Sequence, residues 1–165
     1  MNVVVIASKL QKFEWANHFI KTYSNKLPNY IQKDLIAITS SFLCFFQESY
    51  EQVIQYLSGF KFHTFEHHIN ANTLLIRSYY KLQKSNISYY DPLFASCKAF
   101  ENYIRRSTVI SDVKRESYLN FISFIKKITQ NKYKNTIAKN ALINTLNSYT
   151  HVFAKTWLEE EIELT

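Results

Sequence analysis

Residues 47–82, QESYEQVIQYLSGFKFHTFEHHINANTLLIRSYYKL, predict two helices joined at Gly59, the single glycine of the chain. Ser49 and Gln52 are spaced as a capping box, which marks the start of a short helix that ends before Gly59. Glycine readily adopts the left-handed conformation that commonly terminates a helix. Apolar residues at helical spacing then predict a longer helix over 64–84. The stretch is therefore a helix–turn–helix unit.

The same rhythm extends over the rest of the 165 residues and predicts an all-α fold. One glycine and two prolines leave too little turn chemistry for a chain of short strands. Asp91 and Pro92 fit the N-cap and the first helical position of a further helix. Helices are predicted at residues 1–10, 13–27, 32–47, 50–58, 64–84, 91–106, 111–131, 134–148 and 152–164.

An internal repeat is visible when the second helices of successive hairpins are aligned. Phe13-x-x-Ala16 and Tyr50-x-x-Val53 are equivalent patterns that lie 37 residues apart. Further residues follow at offsets of 4, 7 and 12 from the small residue, namely Ile20, Tyr23 and Pro28 after Ala16, and Leu57, Phe60 and Phe65 after Val53. A small residue there lets two helices cross closely, and the aromatic residue fills the turn.

This pattern resembles the tetratricopeptide repeat (TPR), whose period is about 34 residues. The resemblance implies a right-handed α–α superhelix of about four TPR-like hairpins in a single domain, 1–165, closed by a C-terminal capping helix that carries Trp157. The chain also resembles the C-terminal region of large uncharacterised bacterial proteins with TPR-like repeats, over the run from Tyr50 through Tyr80 to Arg105, the segment 118–122 and the segment 157–159. We accordingly expect the chain to be a fragment of a longer array.

The charge of the chain indicates what kind of partner it could bind, and its cysteines indicate the cellular compartment. The net charge is +7, and residues 77–139 hold 13 Lys and Arg against 4 Asp and Glu. This excess fits an acidic partner, although an AT-rich coding bias toward Lys, Asn, Ile, Tyr and Phe accounts for it as well. Cys44 and Cys97 lie in apolar runs without a paired spacing, which fits free thiols in the cytoplasm. No segment predicts a membrane span or a signal peptide.

TPR-like arrays bind peptides on the concave face that the first helices of the hairpins form. Aligning those helices predicts a polar and aromatic partner-binding strip of Asn70, Arg77, Tyr80, Lys81, Asn120 and Phe124. Such a strip suits an extended acidic peptide or a terminal carboxylate. We therefore predict a non-enzymatic protein–protein interaction scaffold that uses no cofactor.

Two alternatives remain open. The basic region 77–139 is the basis for a nucleic-acid-binding helical repeat, because phosphates attract clustered Lys and Arg. His63, Glu66 and His67 match H-x-x-E-H, an inverted zinc-hydrolase motif in which two histidines of one helix face bind zinc. That motif needs a third zinc ligand, for which Glu101 and Glu116 are the downstream candidates. Packing of Phe62 and Phe65 in the interior would instead leave the three histidines His63, His67 and His68 in solvent.

Overall fold

The computed structural model describes residues 1–130 and 136–164, and it places nine α-helices and a short 3-10 helix (η1), but no strand, in them. The all-α class predicted from the sequence is thus confirmed. The helices are α1 Asn2–Lys9, α2 Phe13–Ser24, α3 Asn29–Phe46, α4 Tyr50–Leu57, α5 Phe65–Gln83, η1 Ile87–Tyr89, α6 Tyr90–Arg106, α7 Asp112–Gln130, α8 Thr136–Ser148 and α9 Lys155–Glu163.

The capping box predicted for α4 is wrong, whereas α5 has a side-chain cap that the sequence analysis did not predict. The Thr64 hydroxyl accepts a hydrogen bond from the backbone N–H three residues later, at 3.2 Å, and so caps α5. The Ser49 hydroxyl donates instead to the carbonyl two residues back, and the Gln52 side chain accepts from the Cys44 thiol at 3.4 Å. The capping box is therefore replaced by other contacts. Gly59 has the predicted left-handed backbone, with a φ of 73°.

Three predicted helix starts differ from the observed ones. α3 begins at Asn29 rather than at 32, because Pro28 occupies the N-cap position with an extended backbone. η1 runs directly into α6, so Asp91 lies in the first turn of α6 and does not cap it. α9 begins at Lys155 rather than at 152, directly after a residue with a positive φ. The predicted start at 134 lies outside the described residues.

The chain divides into two compact units, Met1–Ser96 and the part from Cys97 onward. In the first unit, α1, α2 and α3 contact one another, and α3, α4 and α5 do the same. Helices α1, α3 and α5 therefore form a row with α3 at its centre. One core cluster unites Val4, Ala7, Ala16 and Leu43, and another unites Cys44, Phe45, Val53, Leu57, Ala71 and Leu74.

Helix boundaries in this unit recur at a constant interval of 37 residues. The row helices end at Lys9, Phe46 and Gln83, and the helical segments that follow them begin at Phe13, Tyr50 and Ile87. Within the second helices, Ala16 and Val53 occupy the same position and are both fully buried. The helices differ in length, since α1 has 8 residues and α3 has 18.

The turns after α1 and α3 have the same backbone conformation. Gln11 and Glu48 are left-handed, with φ of 57° and 59°. In both turns the next residue donates its N–H to the carbonyl five residues back at 2.9 Å, while Gln11 and Glu48 donate to the carbonyl three residues back at 3.0 and 3.1 Å. This pair of bonds is a Schellman motif, which satisfies the last carbonyls of a helix.

The second unit is built on α7, whose buried face meets aromatic residues of the segment that leads into α9. Phe121 contacts the ring of Phe153 edge to face at 5.4 Å and the ring of Trp157 at 6.4 Å. Helix α9 contacts both α7 and α8. Trp157 is partly buried and packs against Phe121 of α7.

Candidate functional site

Three of the six predicted binding residues lie on α5 with partly accessible side chains, Asn70, Arg77 and Lys81. The guanidinium carbon of Arg77 lies 4.4 Å from the ring centroid of Phe45, so the cation covers a buried aromatic residue of the second core cluster. The Asn70 amide donates to the Met1 sulfur at 3.6 Å. Arg77 and Lys81 are one helical turn apart, so their charges fall on the same side of α5.

Tyr80 and Phe124 do not belong to an open surface, because each is only 1% exposed. The Lys84 ammonium lies 4.9 Å from the Tyr80 ring centroid. Phe124 packs edge to face on Tyr149 at 5.4 Å, with the Lys127 ammonium 4.9 Å from its ring. Each ring packs in the interior of its own unit. Aligning the helices predicted which helix face each ring lies on, but it did not predict that the ring is buried.

Asn120 has a structural contact in the second unit. Its side-chain amide donates to the backbone carbonyl of His151 at 2.8 Å, which ties α7 to the segment before α9. A hydrogen bond to a loop carbonyl satisfies a backbone group that the loop itself leaves open. The Asn120 side chain therefore has a structural hydrogen bond, and no ligand is needed to explain its position.

The H-x-x-E-H residues surround a buried carboxylate that the sequence argument missed. His63 precedes α5 and lies before its N-cap, whereas Glu66 and His67 lie in the first turn, with Glu66 exposed. The two histidines therefore do not share a helix face, which the zinc-hydrolase hypothesis requires. Both approach Asp34 of α3, whose side chain is 0% exposed.

Asp34 accepts three hydrogen bonds from this segment. The backbone N–H of His63 donates to Oδ2 at 2.7 Å, and its ring Nδ1 donates to Oδ1 at 2.9 Å. The ring Nδ1 of His67 donates to Oδ2 at 3.1 Å. A buried carboxylate needs such partners because its charge is costly to remove from water. The cluster Asp34–His63–His67, which we call the aspartate clamp, thereby holds the start of α5 against α3.

The electrostatics of the clamp favour an ionised carboxylate. Burial by itself raises the pKa of Asp34, but the backbone N–H of His63 and the imidazoles of His63 and His67 outweigh it and hold the pKa below its ordinary value. The solvated histidines predicted from the sequence are only partly observed. The side chain of His63 is 60% exposed, but that of His67 is 12% exposed, and burial lowers the pKa of His68.

The clamp has the geometry of a structural element. Carboxylates orient imidazoles in this way in metal sites and in catalytic triads, but in both cases the second ring nitrogen faces a metal or a nucleophile. Among the described residues, no group of three or more His, Cys, Asp or Glu side chains is placed to hold a metal ion.

The two cysteine thiols are poor nucleophiles, because burial raises the pKa of Cys44 and raises the pKa of Cys97 to about 12.

Several cations of the basic region 77–139 are engaged within the second unit. The Lys126 ammonium and the Arg105 guanidinium lie 2.8 and 2.9 Å from the two carboxylate oxygens of Glu101, and these hydrogen bonds lower the pKa of Glu101. The Arg115 guanidinium donates to backbone carbonyls at the end of α6, that of Ser107 at 2.8 Å among them. Lys132 and Lys134 lie outside the described residues. These contacts reduce the charge that remains for phosphates.

None of the helices in the described residues combines the length and the apolar character needed to cross a membrane. No protein-family model, no curated protein and no solved structure matches the chain.

Proposed function

We propose that this chain is a cytoplasmic, TPR-like helical-repeat scaffold that binds a segment of a partner protein on its row of first helices. The single observation that carries the proposal is the 37-residue recurrence of helix ends, turns and buried small residues in the first unit. The interval is close to the TPR period, and α1 and α3 each contact their own partner helix and the next row helix, which is the packing that repeat arrays use. Two free, buried cysteines support a reducing compartment.

The binding surface of this proposal is the accessible side of α5. Arg77 and Lys81 supply two positive charges one turn apart, and Asn70 supplies an amide two turns away from Arg77. A guanidinium that stacks on an aromatic ring is held in place, which lowers the entropic cost of forming bidentate bonds with a carboxylate. The partner segment we propose is therefore acidic, in keeping with the net charge of +7.

Charge reversal tests this surface. Purified wild type and the Arg77→Glu/Lys81→Glu variant would be crosslinked in lysate of the source cells, and the captured proteins identified and quantified by mass spectrometry. The matched control is Lys61→Glu/Lys98→Glu, which makes the same change of charge at two exposed positions outside the surface. Circular dichroism spectra of all three proteins would establish that they are folded.

A partner that is retained by the control and lost with the α5 variant would support the proposal. Capture of the same partner by wild type and both variants would refute the binding surface on α5. Capture of nucleic acid that dissociates steeply with added salt would instead favour the basic region 77–139, because counterion release makes phosphate binding salt-dependent.

A further inference from the structure

The first hairpin contains an open cavity that the proposed function does not use. The cavity has a volume of about 250 Å³ and lies between α1, α2 and α3. Its lining is mostly apolar and consists of Met1, Val4, Phe19, Ile20, Tyr23, Ser24, Leu27, Leu35, Ile36 and Thr39. The predicted binding residues of α5 do not line it. Drug-sized ligands occupy about 300–1,000 Å³, so this volume suits a single bulky side chain better.

An exposed aromatic ladder on α2 continues from the cavity to the surface. Trp15 and Phe19 stack with ring centroids 5.1 Å apart, and Phe19 and Tyr23 follow at 4.5 Å. Trp15 and Tyr23 are 49% and 46% exposed, whereas Phe19 and Tyr23 also line the cavity. Aromatic residues beside a pocket are the usual anchors of protein–protein interfaces.

A lysine lies at each end of the ladder. The Lys26 ammonium lies 4.9 Å from the ring centroid of Tyr23, and Lys12 occupies the N-cap position at the other end of α2. Lys12 lies three residues before Trp15 and Lys26 three residues after Tyr23, just outside the two ends of α2. Glu14 is one position from Trp15, so the two side chains do not face each other on the helix. Residues 1–33 contain five Lys and a single acidic residue. The rim therefore favours an acidic partner.

We propose that the cavity and the ladder form a second docking site, which binds an acidic segment of a partner protein and takes up one bulky apolar side chain of that segment. The anchor enters the cavity, and flanking carboxylates contact Lys12 and Lys26. The positive charge of Lys12 and Lys26 favours an acidic partner segment over a second copy of the chain. A second copy that used the same face would bring lysines against lysines, and like charges across an interface cost several kcal/mol.

The probe is a set of short, glutamate-rich peptides that differ only at one central position, which carries Trp, Phe, Leu, Ala or Lys. Their affinities for the whole chain would be measured by fluorescence anisotropy. The expected order places Trp, Phe and Leu about tenfold or more above Ala and Lys, because an apolar anchor fills the cavity. Equal affinity of the Trp and Ala peptides would overturn the proposal.

Two protein variants locate the binding. Ile36→Trp fills the cavity from a half-buried position and should abolish the preference for an apolar anchor. Lys12→Glu/Lys26→Glu should weaken all acidic peptides about tenfold and remove most of the salt dependence. Circular dichroism and urea unfolding would show that both variants fold, and Lys61→Glu/Lys98→Glu is again the matched control. An anchor preference that survives in Ile36→Trp would place the anchor elsewhere and contradict the proposal.

The outcome is independent of the surface on α5. Arg77→Glu/Lys81→Glu removes positive charge that an acidic peptide also meets on α5, but it should leave the preference for the Trp peptide over the Ala peptide unchanged. Loss of that preference in this variant would assign the anchor to α5 and overturn the cavity site. Self-association in sedimentation, lost in Ile36→Trp, would assign the cavity to a second copy and refute an acidic partner. Binding of phosphatidylglycerol vesicles without peptide binding would refute it in favour of a lipid surface.

Discussion

The first hairpin, α1 and α2, and the second hairpin, α3 and α4, turn in the same way but differ in what covers their first helix. Both turns use a left-handed residue that is not glycine, and both bury a small residue on the second helix. Ile6 of α1 and Leu43 of α3 are equivalent at the 37-residue interval, yet Ile6 is 57% exposed and Leu43 is 7% exposed. Among the described residues, α3 contacts both of its neighbours in the row, α1 and α5, whereas the contacts of α1 are mainly with α2 and α3. Local sequence sets the turn, and the neighbouring helices set the burial.

The largest effect is expected at the aspartate clamp, which ties α3 of the second hairpin to the start of α5. Asp34→Ala removes the acceptor of three hydrogen bonds and leaves the donors of His63 and His67 in place. We expect the free energy of unfolding to fall by about 3 kcal/mol, because three hydrogen bonds to a buried carboxylate are lost together. Urea unfolding measures this value. Glu66→Ala, an exposed carboxylate beside the clamp, is the control and should change it by less than about 0.5 kcal/mol. A loss at Asp34 no larger than that of the control would contradict the clamp.

The clamp also predicts how stability depends on pH. Because the pKa of Asp34 is lower in the folded chain than in the unfolded chain, its contribution is present above about pH 4 and is lost as the pH falls through the folded value. Urea unfolding between neutral pH and pH 3 should therefore show a steeper loss of stability for wild type than for Asp34→Asn. Parallel curves for the two proteins would mean that Asp34 is not held ionised by the fold.

Exchanging the small residues of the two hairpins tests whether the positions are equivalent. Val53→Ala leaves a cavity at a fully buried site and should cost about 2 kcal/mol, while Ala16→Val overfills its site and should cost about 1 kcal/mol or more. Thermal and urea unfolding would give both values. If Ala16→Val were stabilising, the first hairpin would be more loosely packed than the second at this point, and the equivalence would fail.

The starts of α4 and α5 differ in capping, because the helix N-terminus of α5 is hydrogen-bonded by the side chain of its N-cap residue and that of α4 is not. Thr64→Ala should lower the free energy of unfolding by about 1 kcal/mol, because its hydroxyl accepts from the N–H of His67. Ser49→Ala should cost only about 0.3 kcal/mol, since the Ser49 hydroxyl bonds to a preceding carbonyl and not to the helix. An equal loss in the two variants would show that the capping box of α4 forms in solution.

The smallest effects are expected at the turns that the hairpins share. Gln11→Gly and Glu48→Gly should each stabilise the chain by up to about 1 kcal/mol, because glycine adopts a positive φ without the strain that a side chain adds. Gly59→Ala should have the opposite sign, although an added Cβ meets no atom of the described residues within 4 Å. Unequal effects at Gln11 and Glu48 would show that the two turns differ in strain.

Helix positions were predictable because local patterns determine them. Apolar residues at a spacing of three and four, prolines and a single glycine were enough to locate all nine α-helices of the described residues to within a few positions. The 37-residue spacing of Phe13 and Tyr50 also appears in the structure as the interval between the starts of α2 and α4. The starts of α3 and α9 were each misplaced by three residues. The expected caps failed at Ser49, whose hydroxyl bonds to a preceding carbonyl, and at Asp91, because η1 runs directly into α6.

The candidate sites were less accessible to sequence reasoning, because they depend on which helices meet. Asp34 is the single charged residue of the run 34–47, and a lone acid in an apolar helix predicts a buried partner that sequence spacing cannot identify. The histidines that donate hydrogen bonds to Asp34 lie about 30 residues later in the chain. Tyr80 and Phe124 were placed on an open face by helical spacing, but each is enclosed by its neighbours.

The sequence by itself determined the all-α class, the order of the helices and the hairpin rhythm, since backbone hydrogen bonding and helical periodicity act over a few residues. Tertiary structure alone decided that Asp34 joins His63 and His67, that Ile6 remains exposed while Leu43 is covered, and that α1, α2 and α3 leave a cavity between them. These outcomes depend on contacts between residues far apart in the chain, where burial and packing depend on every neighbour at once.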